Sequence, residues 1–426
     1  MKTFTFNNLQ LFAYNPQAQP PNNIAVEGLP GGRLAPENQA YYDKQLIRYA
    51  KPKLVHQQLG QKRDIPAKSG QTINFRSFAS LGKSTTPLIE GATPDGQSLS
   101  VSEITAKPKQ YGDFVALTDY LDMTAIDPVV TETVTLIGDQ AGASVDTIVR
   151  DEINTGTNVG YAAKVSGGTE TPVYFRYNLD ASAALTVDVV ERAAAELKAQ
   201  NAPTFDGYYM CIVHPYALYD LRKDPRWQDA QKYTANNVTK IFDGEVGEIA
   251  GVRFISTTEA KIFMGENLMD ATTRDLTVSA NASVGATSVS VGQTIVANSL
   301  VGRKVLIGGN QYTVSANTTG ALTISPALKS AATANDKIYP GEGGAGGVGV
   351  FSCLFVGKNA YGVTEISGNG MKTIIKPLGS AGSADPLDQR STIGWKALIT
   401  AKILVEQYMR RIEVGGTYAT TQLKAN

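Results

Sequence analysis

Between Asp127 and Asn154 the apolar residues Val130, Val134, Ile137, Ala141, Val145 and Ile148 recur at spacings of three and four. That period paints one face of an α-helix and fits no strand. Asp127 is a good N-cap, and Pro128 suits the first helical position, where a missing N–H costs nothing. Gly156 offers a stop. The predicted helix is ~40 Å long at 1.5 Å per residue. A helix of that length with a single apolar stripe is a spine, and it has to lie along a sheet.

What precedes the spine reads as projecting rather than compact. Residues 1–36 are rich in Asn, Gln, Pro and Gly, and form an arm that orders on a partner. A short helix is predicted from Pro36 to Ala50, with Tyr42, Leu46 and Tyr49 on one face, before Pro52 breaks it. In TINFRSF, Ile73 and Phe75 share one face of a strand and Asn74 and Arg76 the other. A turn-rich stretch with Pro87, Gly91, Pro94 and Asp95-Gly96 follows, and VSEITAKPKQYGDFVALTD then returns. Pro108 cannot donate to a ladder, so the returning segment is expected at a sheet edge. A two-stranded ribbon is marginal alone, and this one calls for a neighbour.

Beyond the spine the pattern is mixed. A helix is expected over Val187–Gln200, with Val190, Ala194 and Leu197 inward, then a strand at YYMCIVH, a short helix at Tyr216–Arg222 and a strand at GVRFIST. From 270 to 340 the composition changes. TSVSV, KVLIG, QYTVS and ALTIS alternate between Gly, Asn and Ser turns, as in a small all-β module. VFSCLFVGKNAYGV resumes core character afterwards, which makes the module an insertion. KTIIKPL reads as a strand. The apolar run from Trp395 to Val414 fits helix or strand equally.

Chemistry is thinly supplied. Lys plus Arg and Asp plus Glu are 39 each, so net charge is zero and no basic run marks a nucleic-acid reader. Cys211 and Cys353 lie in apolar runs without a CxxC pattern and read as buried thiols. His56 and His214 are the two histidines, and lone histidines are more often structural than catalytic. Gly341-x-Gly343-x-x-Gly346 matches a dinucleotide fingerprint, but a strand rather than a helix follows it, so it reads as a flexible exit from the insert. Asp119, Asp122 and Asp127 lack the spacing and closing Glu of a calcium loop and read as caps or solvated carboxylates. No catalytic residue, cofactor or metal is expected, and no enzyme. The N-terminus lacks the continuous apolar core of a secretory signal, and no stretch approaches the ~20 apolar residues of a membrane span, so a soluble, unsecreted protein is expected.

The order of arm, projecting ribbon, spine, mixed domain and return strands resembles the HK-97-like capsid fold of tailed phages. The blocks PLIEGATPDGQSLSVSEITAKPKQYGDFVALTDYLDMTAIDPVV, GDQAGASVDTIVRDEINTGTN and KPLGSAGSADPLDQRSTIGWKA are similar to major capsid proteins of the N-four-type podophage family. The resemblance implies an α+β fold divided as follows: N-terminal arm and short helix 1–60, E-loop and flanking strands 61–118, P-domain with the spine 119–180, and A-domain 181–269. An A-domain return 346–370 and P-domain return strands with the C-terminus 371–426 complete it, and the inserted all-β domain 270–345 is a departure from that family. It further implies a shell subunit in the virion that self-assembles as pentamers and hexamers. Scaffolding, portal and decoration proteins are the implied partners, with double-stranded DNA enclosed without sequence-specific binding and no membrane. The E-loop would lie over a neighbouring subunit, with Arg76, Glu90 and Asp95 as contacts and Phe75 as apolar packing. The plainer alternative is that these four are ordinary solvated or turn residues. A β-rich surface or cell-envelope binding protein is the alternative that the insert suggests, and a hydrolase built on His214 is a third.

Overall fold

The computed structural model describes residues 54–63, 72–78, 81, 83–85, 87, 96–124, 129–234, 245–269, 273–364, 371–380, 385–421, 423 and 425–426. The architecture is α+β, with the chain divided into two compact units, 1–153 with 361–404 and 154–360 with 405–426. The expected helix at Pro36–Ala50 lies outside the described residues, as do Asp127 and Pro128.

In the first unit the spine helix runs Val129–Ile153. Val134, Ile137, Ala141 and Val145 are buried as the stripe requires, but the stripe continues through Val149 and Ile153, and Ile148 is only half-buried. The reason is geometric: at 3.6 residues per turn a step of four overshoots a full turn by about 40° while a step of three falls about 60° short, so 149 lies nearer than 148 to the line through 145. Along the helix lies a three-stranded antiparallel sheet in the order Met371–Lys376, Arg390–Ile399, Lys109–Thr118. Met371, Thr373, Ile393, Trp395, Ala397 and Ile399 turn inward, and the Trp395 indole N–H donates to Gln140 of the helix at 3.4 Å. The undecided run 395–414 is strand at Arg390–Ile399, Ala401–Ile403 and Met409–Val414, with a 3₁₀ turn at Glu406–Tyr408 before the last.

Pro108 falls where the ribbon changes sheets. Val101–Ala106 pairs with Ile73–Phe78, and Lys109–Thr118 lies at the edge of the spine's sheet. The ribbon is less dependent on a neighbour than its sequence suggested. Its base has its own small core of Ile73, Phe75 and Ala106, with Ile104 and Leu404 against it. Any side chain at Gly362 would run into the Phe75 ring, so this glycine is required by close packing.

The second unit centres on a mixed seven-stranded sheet ordered Val159–Tyr161, Met409–Val414, Val350–Val356, Tyr209–Val213, Val252–Ser256, Glu245–Ile249, with Ile262–Phe263 beside Val350–Val356. Strands Tyr209–Val213 and Val350–Val356 are buried along their whole length, which is why they read as continuous apolar runs. Helices Val187–Ala199 and Pro215–Lys223 supply Val190, Ala194, Leu197, Ala217, Leu218 and Leu221 to the same core.

Residues 276–340 form a six-stranded antiparallel sheet with a core of its own. The four strands expected there are joined by Leu276–Thr277 and Lys337–Pro340. The two end strands, Leu276–Thr277 and Ser288–Ser290, meet through the Val278–Val291 bridge, so the sheet closes into a small barrel. Closure removes the free edges that invite uncontrolled pairing. Replacing Phe75 by Ala should cost the first unit about 3–5 kcal/mol, read as a lowered urea midpoint; an unchanged midpoint would show that the ribbon base is not a packed core.

Candidate assembly surfaces

Two buried polar centres, one in each unit, organise the segments around them. In the first unit, Asp146 and His56 are both fully buried, with His56 Nδ1 2.7 Å from Asp146 Oδ2. Asp146 Oδ1 also accepts the backbone N–H of His56 at 2.8 Å, so one carboxylate caps the short helix Val55–Gln58 and fixes its imidazole. Gln57 donates to the carbonyl of Thr364 at 3.0 Å, and the Tyr361 hydroxyl donates to the carbonyl of His56. Burial, then the Asp146 charge, hold the Tyr361 phenol well above its ordinary range. Together these bonds pin the chain just after residue 53 to the spine and to the strand Tyr361–Thr364. The sequence reading passed over this centre; the available signal was a carboxylate placed among the buried positions of the spine.

The four predicted contact residues fare differently. Phe75 is 1% exposed within its own chain, which leaves it no apolar area for a neighbour, and its assignment as an intersubunit contact is corrected to core packing. Arg76 is exposed on the opposite face of the strand and stands across from Glu103. Glu90 and Asp95 lie outside the described residues. The described residues between the paired strands are exposed, Leu81 at 58% and Leu99 at 60%.

In the second unit Glu413 is fully buried, and Arg176 grips it through two hydrogen bonds of 2.6 and 2.5 Å. Arg411 Nε stands 3.1 Å from the same carboxylate, and the Arg176 guanidinium lies 3.5 Å above the Phe263 ring. Burial lowers the Arg411 pKa, opposed by Glu413. This clamp holds the loop that carries the exposed Tyr174 and Phe175. His214, weighed as a catalytic base, instead caps helix Pro215–Lys223: its Nδ1 accepts the Tyr216 N–H at 3.2 Å, and its ring stacks on Phe351. Burial lowers its pKa to about 4.

Gly341, Gly343 and Gly346 serve packing and turning. Side chains at the first two would meet the backbone at Lys304 and Val348, while Gly346 sits at φ 67° in the 3₁₀ turn before strand Val350–Val356. Arg274 donates to the carbonyls of Gly265 and Gly347, tying the two connections of the barrel together. Asp119 accepts the N–H of Tyr120, a local turn bond; the side chains of Asp122 and Asp127 lie outside the described residues. No cluster of metal-ligating side chains occurs among the described residues, and no described helix is long and apolar enough to cross a membrane.

Residues 134–323, from the spine helix into the barrel, match the phage capsid protein family. Among solved structures, the chain is similar to the capsid of cyanophage P-SCSP1u at 15% identity and TM-score 0.48, covering 84% of this chain and 87% of that one. The capsid of Ralstonia phage GP4 is similar at 12% and 0.49 over 100% of both chains. The mature capsid of bacteriophage PhiM1 is similar at 12% and 0.46 over 87% of each. No curated protein matches the chain by sequence.

Removing one partner of a buried pair leaves a desolvated group behind, so Asp146→Ala should cost about 3–5 kcal/mol, read by thermal or urea unfolding; a loss no larger than for an exposed Asp would refute the clamp. The unfolded chain takes up a proton at His214 near pH 6.5, whereas the folded chain resists until about 4. Stability held by this site is whole above pH 6.5 and is lost as the pH falls toward 4. His214→Asn keeps a capping acceptor without the titration, and should show a shallower stability loss from pH 7 to 5 than the unaltered protein. Equal slopes would show that His214 is not the sensor.

Proposed function

We propose that this chain is a major capsid protein of the tailed-phage type that builds a virion head shell in the HK-97-like manner, with the ribbon at 72–118 reaching onto a neighbouring copy in pentamers and hexamers. The observation that supports this best is the contrast within the ribbon. Its base is sealed by Phe75 and Ile73, while Leu81, Leu99 and Val101 further along are exposed. Exposed apolar side chains on an extended segment gain by burial, ~25 cal/mol per Å², once another surface covers them. Arg76, Glu90 and Asp95 would then supply register and selectivity more than affinity. Many modest contacts repeated by symmetry are enough to hold a closed shell.

The three blocks quoted from the sequence support the narrower N-four-type assignment. In this reading the divisions are the N-arm, E-loop, P-domain and A-domain, with the barrel at 270–345 inserted in the A-domain. Scaffolding, portal and decoration proteins are its partners, and double-stranded DNA is enclosed without sequence-specific contacts. The role is structural and calls for no catalytic step, cofactor or metal.

The full chain expressed with its phage's scaffolding and portal proteins should sediment as large symmetric particles visible by negative-stain microscopy. Replacing residues 81–100 with a short Gly-Ser link should leave the subunit folded and reduce particles at least tenfold, as expected when a repeated contact is lost. Undiminished particle yield from the shortened chain would refute the role given to the ribbon.

A further inference from the structure

We infer that the segment 417–426 is a strap laid over the second unit, and that it lifts when His214 takes up a proton. Such a strap works within one chain, whether or not the chain assembles.

The strap is fastened at three places. At its start the buried Asp220 accepts the backbone N–H of Thr417 at 2.8 Å and its hydroxyl at 2.6 Å. In the middle Ala419 is buried and Leu423 packs against the core of the unit, while the N–H of Gly349 donates to the carbonyl of Thr420 at 3.3 Å. Farthest along, Asn426 Oδ1 accepts the N–H of Ile262 at 2.9 Å, and its Nδ2 donates to the carbonyls of Thr258 and Ala260. None of its described residues belongs to a strand or helix. A segment held mostly by side chains, outside the backbone ladders, is the kind that opens locally before the rest of its unit.

An aromatic stack joins the strap to the histidine. Tyr418 lies face to face on Tyr216, with ring centroids 4.5 Å and planes 17° apart, and Tyr219 stands edge-on to it at 5.2 Å. The Tyr216 ring in turn lies 4.8 Å from that of His214. The same histidine holds the backbone beneath this ring, because its Nδ1 accepts the Tyr216 N–H at 3.2 Å. A neutral imidazole can accept in this way; a protonated one carries N–H at both nitrogens and cannot. Protonation therefore sets two N–H groups against each other. It also places a positive charge at the N-terminus of helix Pro215–Lys223, where the helix dipole opposes it. Both effects loosen the first turn, and that turn carries the ring on which Tyr418 rests.

The helix brings Tyr216, Tyr219, Asp220 and Lys223 to this end of the unit, and the strap brings Tyr418; strands Tyr209–Val213 and Val350–Val356 bring Cys211 and Cys353. Asp220 is engaged by Thr417, and Lys223 lies 4.2 Å over the Tyr219 ring. Burial is what acts on the imidazole, lowering its pKa from 6.5 to about 4. The lifted state, with a hydrated ring, binds the proton near pH 6.5, and the seated state only near 4. Seating is favoured fully above pH 6.5 and loses ground as the pH falls toward 4. Between pH 7 and 5 full hydration of the ring would shift the balance toward the lifted state by about twentyfold.

The test is hydrogen exchange of the full chain at pH 7 and pH 5, with each rate corrected by that of an unstructured peptide. Amides of 417–426 should exchange up to about twentyfold faster at pH 5, while those of strand Val350–Val356 keep their protection. His214→Asn, which keeps a capping acceptor without the titration, should flatten the response. Tyr418→Ala should free the strap already at pH 7. Equal strap protection at both pH values in the unaltered chain would overturn the inference. Loss of protection in strap and strand together would overturn it too, leaving His214 as a stability residue of the whole unit. A pH response that persists in folded His214→Asn protein would assign the proton to another group, and a strap still protected in Tyr418→Ala would break the aromatic link; either result sinks the mechanism.

Discussion

Burying a carboxylate costs several kcal/mol unless hydrogen bonds replace the lost water, and Asp146 sits among the fully buried positions of the spine helix. It is met by the imidazole and backbone N–H of His56. That necessity ties a segment ninety residues upstream to the middle of the longest helix. Gln57 and Tyr361 extend the tie to the strand Tyr361–Thr364, more than two hundred residues downstream. The sheet that lies along the spine and the sealed base of the ribbon belong to the unit built around this helix.

On the proposed capsid reading, a subunit must be rigid where it sets geometry and unfinished where it meets its copies. Both properties occur in the first unit. The inward faces are closed by Trp395, Ile393 and Phe75, and the outward faces keep exposed apolar and basic side chains. The second unit follows the same division: the Arg176–Glu413 grip is internal, and the aromatic tip beside it, Tyr174 and Phe175, is exposed. The barrel at 276–340 differs in having no free edge, so it adds a folded body without adding a strand that could pair at random.

Much of this was legible in residue spacing. The spine, the helix at 187–199, the buried strands at 209–213 and 350–356 and four strands of the barrel all follow from local periodicity, because each element buries one face or both. The helix Pro225–Thr234 went unread although Asp224-Pro225 carries the same start signal as Asp127-Pro128. Its inward surface rests on little more than Trp227, too few apolar residues to show a period. The run from 395 to 414 was ambiguous for the opposite reason: apolar residues on both alternating and helical spacings overlap there.

What the sequence determined by itself was therefore the set of elements and a neutral, motif-poor composition, since periodicity and composition are local. Tertiary structure decided the pairings: His56 with Asp146, Arg176 with Glu413 and Phe75 with Gly362. Each joins residues far apart in the chain, and register between distant strands depends on how whole faces stack. A charge in an apolar stripe announces that a partner exists. Only the folded chain shows which residue reaches it, because that choice is made by packing geometry and not by spacing along the backbone.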